Sequence, residues 1–404
     1  MSARLPEDLY TEIDDRLAAA DARVEARYPG DSPGRQPVHT VYVPAGSYDG
    51  AIVTEWGDRA AAVFAEHGSR LGIDAEVAAR VRAKLATEPI EDLRIDFEDG
   101  YGAPGDAAED AEAERAARTL GHSLSVGTAP PFCGIRFKSL ERATRRRGIR
   151  TLDVFLAALL DTGPLPLGFT VTLPKVTAPE QAGAAAAVLE RLESVHGLAR
   201  EVLRFEVQIE TAQSITGPDG TVAVSRILAE AGPRCDGLHY GTYDYSAGLG
   251  IAAEYQSMDH PAADFAKSFM QVAAAGTGVR LSDGSTNRLP LGDRDAVVAA
   301  WREHLRLVRR SLERGFYQGW DLHPHQLPTR FAATYAFFRE GLPAAAQRLR
   351  AYADRSAGGV LDEPATAQAL ATFLLRGVDC GALDGRDLPF GRDVLHAFAT
   401  RVLP

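Results

Sequence analysis

The segment Leu203-Arg204-Phe205-Glu206-Val207-Gln208-Ile209-Glu210-Thr211 alternates strictly, with Leu203, Phe205, Val207 and Ile209 on one face and Glu206, Gln208 and Glu210 on the other. A period of two is that of a β-strand. A strand inside a globular protein normally shows apolar residues to its surroundings. A row of acid, amide and acid therefore needs counter-charges, a metal or a substrate to offset the loss of water. The pattern recurs along the chain. Ile95 and Phe97 alternate with Asp96 and Glu98, and Ile135 and Phe137 with Arg136 and Lys138. Residues 237–241 and 319–323 repeat it, with His239, Asp321 and His323 on the polar face. One geometry satisfies all five segments: a closed parallel barrel whose apolar faces pack on outer helices while the polar faces converge on a central site.

The order of segments fits that geometry. Strands are expected at 39–44, 93–98, 133–138, 168–174, 203–211, 237–241, 279–281 and 319–323, separated by helical patterns. Eight such units are the count of a (β/α)8 TIM barrel. A helix at 6–28 and the Pro/Gly-rich breaker at 29–34 precede it, and helical patterns at 331–340, 342–356 and 363–376 follow. The expected organisation is an N-terminal helical extension (1–36), a barrel (37–330) and a C-terminal helical extension (331–404). With 404 residues, 45% of them hydrophobic, the chain can bury a core of that size.

Other classes are disfavoured. No run near 18 uncharged apolar residues and no basic segment leading into an apolar one is present, which argues against a membrane span or a signal peptide and makes the cytoplasm the expected location. Cys133, Cys235 and Cys380 are too far apart for a disulfide framework or a zinc site. A net charge of -11 speaks against nucleic acid as a partner.

In a barrel the chemistry belongs at the carboxyl ends of the strands. Glu210 ends one strand, and Asp244 follows the next, within the loop 241–246. Two carboxylates on adjacent strand ends, without neighbouring Cys or zinc-type His spacing, favour a hard divalent cation that keeps several waters, Mg²⁺ first and Mn²⁺ second. The duller alternative is that either carboxylate only pairs with Arg136 or Lys175.

Several of these residues also carry a resemblance. Asp96-Phe97-Glu98-Asp99 resembles the D-[LF]-E-D element of the HpcH/HpaI aldolase/citrate lyase family, in its citrate lyase β-subunit-like and malyl-CoA lyase-like branch. Matching elements follow in order: Arg136 between Ile135 and Phe137, Pro174-Lys175, Ile209-Glu210-Thr211, Gly241-x-x-Asp244, and the closing run from Gly315-Phe316 through His323-Pro324-x-Gln326. The resemblance implies a Mg²⁺-dependent carbon–carbon lyase or aldolase that acts on a small 2-oxo or 3-hydroxy acid, or an acyl-CoA thioester, through an enolate. It implies Glu210 and Asp244 as metal ligands and Arg136 as the group that holds a substrate carboxylate. Lys175, Glu98 and Asp99 are expected at the same site as catalytic residues, and Tyr243 and His323 as substrate contacts, against structural roles for each. Malate-synthase-like condensation, thioester hydrolysis on the same barrel and a non-catalytic regulatory barrel are the alternatives. The family's habit of assembly implies a homo-oligomer.

Overall fold

The structure, a computed structural model, describes residues 5–32, 34–354 and 363–401. Pro33 of the expected breaker, Arg355 and Ser356 of the expected helix 342–356, and residues 1–4, 357–362 and 402–404 of the expected extensions fall outside these ranges. The chain begins with helix α1 (Glu7–Arg27) and then alternates strand and helix. In order come β1 (His39–Pro44), α2 (Ile52–His67), α3 (Ala75–Thr87), β2 (Asp92–Asp96), α4 (Asp106–Ser125), β3 (Phe132–Arg136) and α5 (Arg145–Leu160). There follow β4 (Phe169–Leu173), α6 (Glu180–His196), β5 (Arg204–Ile209), α7 (Ala223–Ala231), β6 (Cys235–Tyr240), α8 (Thr242–Gly248) and α9 (Pro261–Ala274). The barrel ends with β7 (Arg280–Ser282), α10 (Arg294–Glu313) and β8 (Gly319–Asp321), and α11 (Leu327–Ala353), α12 (Pro364–Asp379) and α13 (Arg392–Ala399) follow it. No helix among the described residues is long and apolar enough to cross a membrane.

All strand pairs are parallel, in the order β7-β6-β5-β4-β3-β2-β1-β8. A parallel bridge between Ser282 and Gln318 joins the two ends, and the amide of Asp283 donates to the Gln318 carbonyl at 2.8 Å. The polar run 282–287 thus continues β7 across to β8 and completes a (β/α)8 barrel. Local chemistry fixes the helix starts: the Asp74 carboxylate accepts from the amides of Glu76 and Val77 ahead of α3, and Asp293 accepts from Ala296 ahead of α10. The alternation places Leu93, Ile95, Val171, Leu173, Val207, Ile209 and Leu238 outward under the helices, each at most 1% exposed. Their partners on the opposite face fill the lumen.

Three expectations need correction. Asp321 does not face the lumen. It lies outside the barrel, where its carboxylate meets His39 Nδ1 at 3.0 Å, His304 Nε2 at 3.2 Å and the Arg330 guanidinium at 3.0–3.2 Å. Basic groups on α10 and α11 satisfy it there, and Trp320 takes the lumen position, its ring 4.7 Å from that of Tyr42. Second, the expected break near residue 341 is absent, because α11 runs unbroken through Pro343. An interior proline costs about 3 kcal/mol, which is outweighed here by one continuous buried face running from Phe331 and Phe338 to Ala345, Ala346 and Leu349. Third, Asp244 sits in the first turn of α8 rather than in a loop. The strands are also shorter than the alternation suggests, so Glu98, Asp99, Lys175 and Glu210 lie just beyond strand ends, on the rim.

Candidate active site

The lumen is built in two tiers. In the lower one, Arg94 reaches from β2 to β5, with Nε 3.2 Å and Nη2 2.8 Å from the Glu206 carboxylate, while Nη1 bonds Asp92. Glu206 also accepts from Thr172 Oγ1 at 2.6 Å and Tyr42 Oη at 3.2 Å, and it faces His239 Nε2 at 3.1 Å. Burial pushes the His239 pKa down to about 4 despite the neighbouring carboxylate, so the imidazole is neutral at physiological pH. Asp92 accepts from Thr40 Oγ1 at 2.8 Å, which in turn accepts from Gln318 Nε2 at 2.9 Å. This charged but internally satisfied plug is the floor of the site.

Above it, Arg136 at the end of β3 grips Asp96 at the end of β2. Its Nε lies 2.6 Å from Asp96 Oδ1, and Nη2 bonds Oδ2. The two residues are register partners of adjacent strands, which sets this fork. Nη1 faces Asp99 Oδ2 at 3.2 Å and Glu98 Oε2 at 3.5 Å. The Gln208 amide, oriented to satisfy both neighbours, accepts from Arg136 Nη1 at 3.1 Å and donates to Glu210 Oε1 at 3.2 Å. The Tyr42 ring lies 4.6 Å from the guanidinium. Asp96 and Tyr42 were not singled out as site residues from sequence, although alternation along 39–44 sets Tyr42 opposite Val41 and Val43.

At the rim, Lys175 contacts the Glu210 carboxylate twice. Its amide donates to Oε1 at 2.7 Å, and its Nζ lies 3.6 Å from Oε2. The same Nζ bonds Asp244 and lies 3.6 Å from Asp99 Oδ2 and 3.8 Å from Glu98 Oε1. Lys175 adopts φ +52°, a left-handed conformation that costs a residue with a Cβ on the order of 1 kcal/mol. Gly241 leaves room for Glu210: a Cβ there would come within 2.4 Å of the Glu210 Cβ.

The electrostatics are unbalanced. Asp96, Glu98, Asp99, Glu210 and Asp244 share only Arg136 and Lys175. Burial, assisted by the charge of Asp244, pushes the Glu210 pKa up to about 7 against the pull of Lys175 and Arg136. Burial and the neighbouring Asp99 push Glu98 up to about 8. Burial opposes the charge on Lys175, yet Glu210 and Asp244 hold its pKa above the usual lysine range. Glu98 Oε2 is buried without a hydrogen-bond partner. Among the described residues no group of three or more His, Cys, Asp or Glu side chains forms a complete metal cage. Hard oxygens from Glu210 and Asp244 with an excess of negative charge nevertheless suit Mg²⁺ or Mn²⁺, which keep water in their remaining positions.

The other expected site residues lie elsewhere or have internal partners. The Tyr243 hydroxyl accepts from the Asn287 amide and donates to the Ser285 carbonyl at 3.4 Å, tying α8 to the polar run after β7. His323 Nε2 faces Arg59 of α2 at 3.0 Å, and its Nδ1 accepts from the His325 amide at 3.2 Å. Burial, with His325 and Arg59 close by, pushes its pKa down to about 4. After β3, Arg147 and Arg150 of α5 pair with Asp110 of α4.

A family model described as a domain of unknown function, DUF6986, matches residues 17–401. The chain belongs to this family. No curated protein matches it. Among solved structures, a citrate lyase from Burkholderia xenovorans LB400 is similar at a TM-score of 0.61 with 19% identity, covering 90% of this chain and 98% of that one. The Haloferax volcanii malate synthase in its magnesium/glyoxylate complex is similar at a TM-score of 0.52 with 16% identity, covering 74% of this chain and 75% of that one. At these identities the likeness is one of fold. This DUF6986 chain therefore has the barrel of citrate lyase and malate synthase, in keeping with the resemblance read from its motifs.

Proposed function

We propose that the protein is a Mg²⁺-dependent carbon–carbon lyase or aldolase acting on a small 2-oxo or 3-hydroxy acid. The observation that carries this reading is the convergence of Glu210 and Asp244 on one point, now held by Lys175 Nζ, beside a buried arginine at the mouth of the barrel. Glu210 and Asp244 would hold the cation, and when bound it would supply the Lewis acidity that polarises a substrate carbonyl and stabilises the enolate. The remaining roles belong to the chain. Arg136 is pinned by Asp96 along its Nε–Nη2 edge, which holds Nη1 in a fixed direction, and a substrate carboxylate would take there the place that Asp99 occupies. Glu98, which carries a proton near neutrality in the metal-free site, is placed to give or take a proton at the substrate, with Asp99 setting its affinity for that proton. The charged, internally paired floor of Arg94, Asp92 and Glu206 below Arg136 keeps solvent from approaching from beneath. Similar folds include both a citrate lyase and a malate synthase, and enolate formation is common to cleavage and condensation.

Solvent exchange tests the reading without knowledge of the natural substrate. Enolisation is half of any aldol or Claisen reaction and needs no second reactant. In deuterated buffer, the C3 proton signal of pyruvate or a related 2-oxo acid should decay in NMR spectra faster with enzyme plus Mg²⁺ or Mn²⁺ than with the metal alone. The effect should vanish in Glu210→Ala and Asp244→Ala. A broad panel of 2-oxo acids showing no acceleration would overturn the proposal.

A further inference from the structure

We infer that the Lys175 ammonium is a built-in counter-cation that occupies the place of the divalent ion and must leave when that ion binds; this rests on the assignment of Glu210 and Asp244 as the metal pair. Three observations carry it. Nζ lies among oxygens of Asp244, Glu210, Asp99 and Glu98, so the ammonium stands where two would-be ligands converge. The contact with Glu210 is split between two parts of the residue, because the amide holds Oε1 at 2.7 Å while the ammonium lies 3.6 Å from Oε2. The amide contact does not need the side chain, so Glu210 stays in place when the ammonium departs. Finally, the left-handed backbone of Lys175 aims amide and side chain at the same carboxylate.

A second seat is available. Asp99 and Glu98 flank Nζ on the side of Arg136, and Glu98 Oε2 has no hydrogen bond of its own. Swinging from Asp244 and Glu210 toward this pair keeps the ammonium neutralised while the metal oxygens are freed. Cation binding is then an exchange of one positive charge for two within a fixed set of carboxylates. Its affinity is set by how readily lysine yields. Such a residue lowers metal affinity, the opposite of a residue that builds the site.

The test is calorimetric titration of the full-length, metal-stripped protein with Mn²⁺, checked by the loss of the free Mn²⁺ resonance signal. Lys175→Gly retains the amide, accepts the positive φ and removes the ammonium without adding a ligand. It should bind Mn²⁺ about 10-fold or more tightly than the wild type, since a unit charge is removed from the immediate surroundings of the ion. Lys175→Met, which keeps the volume, should change affinity in the same direction and guards against a backbone effect of glycine. Asp99→Asn should weaken Mn²⁺ binding more in the wild-type background than beside Lys175→Gly, because only in the former does it remove the lysine's second seat. If the wild type binds Mn²⁺ and both lysine variants bind it equally or more weakly, the counter-cation role is overturned while the metal site stands. If no variant and no wild-type protein binds Mn²⁺, the metal assignment falls and this inference with it. Binding by the variants alone would be the strongest form of the expected result.

Discussion

Replacing Arg136 by lysine is a sharp probe of the site, because charge is conserved and only geometry changes. The guanidinium makes two bonds to Asp96, Nε at 2.6 Å and Nη2 to the other oxygen, and its Nη1 faces Asp99 at 3.2 Å. An ammonium on a flexible stem can replace one leg of the fork at most. One lost hydrogen bond between charged groups in a buried setting costs roughly 1.5–3 kcal/mol, and the loss of the guanidinium over the Tyr42 ring at 4.6 Å adds about 0.5–1 kcal/mol. Arg136→Lys should therefore lower unfolding stability by about 2–4 kcal/mol, the sum of those two contributions. In urea titrations of the metal-free protein this appears as a lower midpoint with an unchanged slope. The same substitution should reduce the exchange rate constant per unit substrate concentration by about 10-fold or more, since Nη1 is no longer held in direction. A stability change under about 0.5 kcal/mol, the range of an ordinary surface substitution, would show that the Asp96 fork does not hold this arginine in solution. The expected stability loss with undiminished exchange would refute its catalytic placement.

Two further outcomes follow from the same geometry. The Glu98 and Glu210 pKa values, raised to about 8 and about 7, mean that the folded metal-free protein binds more protons than the unfolded chain above the ordinary carboxylate range. The stability these two carboxyls contribute is lost as pH rises through about 7 and about 8. His239 and His323, held neutral with pKa values pushed down to about 4, act in the opposite sense below their ordinary value of 6.5. The fall is therefore read between about 6.5 and about 8, where thermal unfolding should show a flatter profile in Glu98→Gln and on addition of Mn²⁺; a Glu98→Gln profile as steep as the wild type's would contradict these environments. Asp321→Asn should cost about 3–5 kcal/mol by leaving Arg330 and two histidines around an uncharged amide, yet leave Mn²⁺ affinity unchanged because the cluster lies outside the barrel. Loss of metal binding in that variant, with the fold intact by circular dichroism, would place Asp321 on the wrong side of the sheet.

The eight strands were legible because alternation is a local property, and it set Glu206, Gln208 and Glu210 on the lumen face as found. Alternation fails where a strand is short and its polar residue finds partners outside the barrel. In Gly319-Trp320-Asp321 the apolar residue points inward and the acid outward, a choice made by His304 and Arg330, which reach the strand only once α10 and α11 pack on it. The same limit hid the partner of Arg136. Asp96 was visible on the polar face of β2, but its pairing with Arg136 depends on strand register, which single segments do not encode. The helical span across Pro343 was lost because a proline reads as a stop, whereas a long buried face can carry a helix through it. The left-handed backbone of Lys175 has no local signature, since nothing in Pro174-Lys175-Val176 calls for it; it goes with the amide's bond to Glu210, just beyond the end of the adjoining strand.

The two-tier lumen bears on the order of events in turnover. With Arg94 locked between Asp92 and Glu206 beneath the site, traffic passes through the rim end of the barrel alone. For a reaction that splits one molecule into two, the fragment nearer the mouth must depart before the deeper one can. Product inhibition then carries the record of depth: the fragment seated on Arg136 and the rim carboxylates competes with the substrate, and its partner inhibits by trapping it from above.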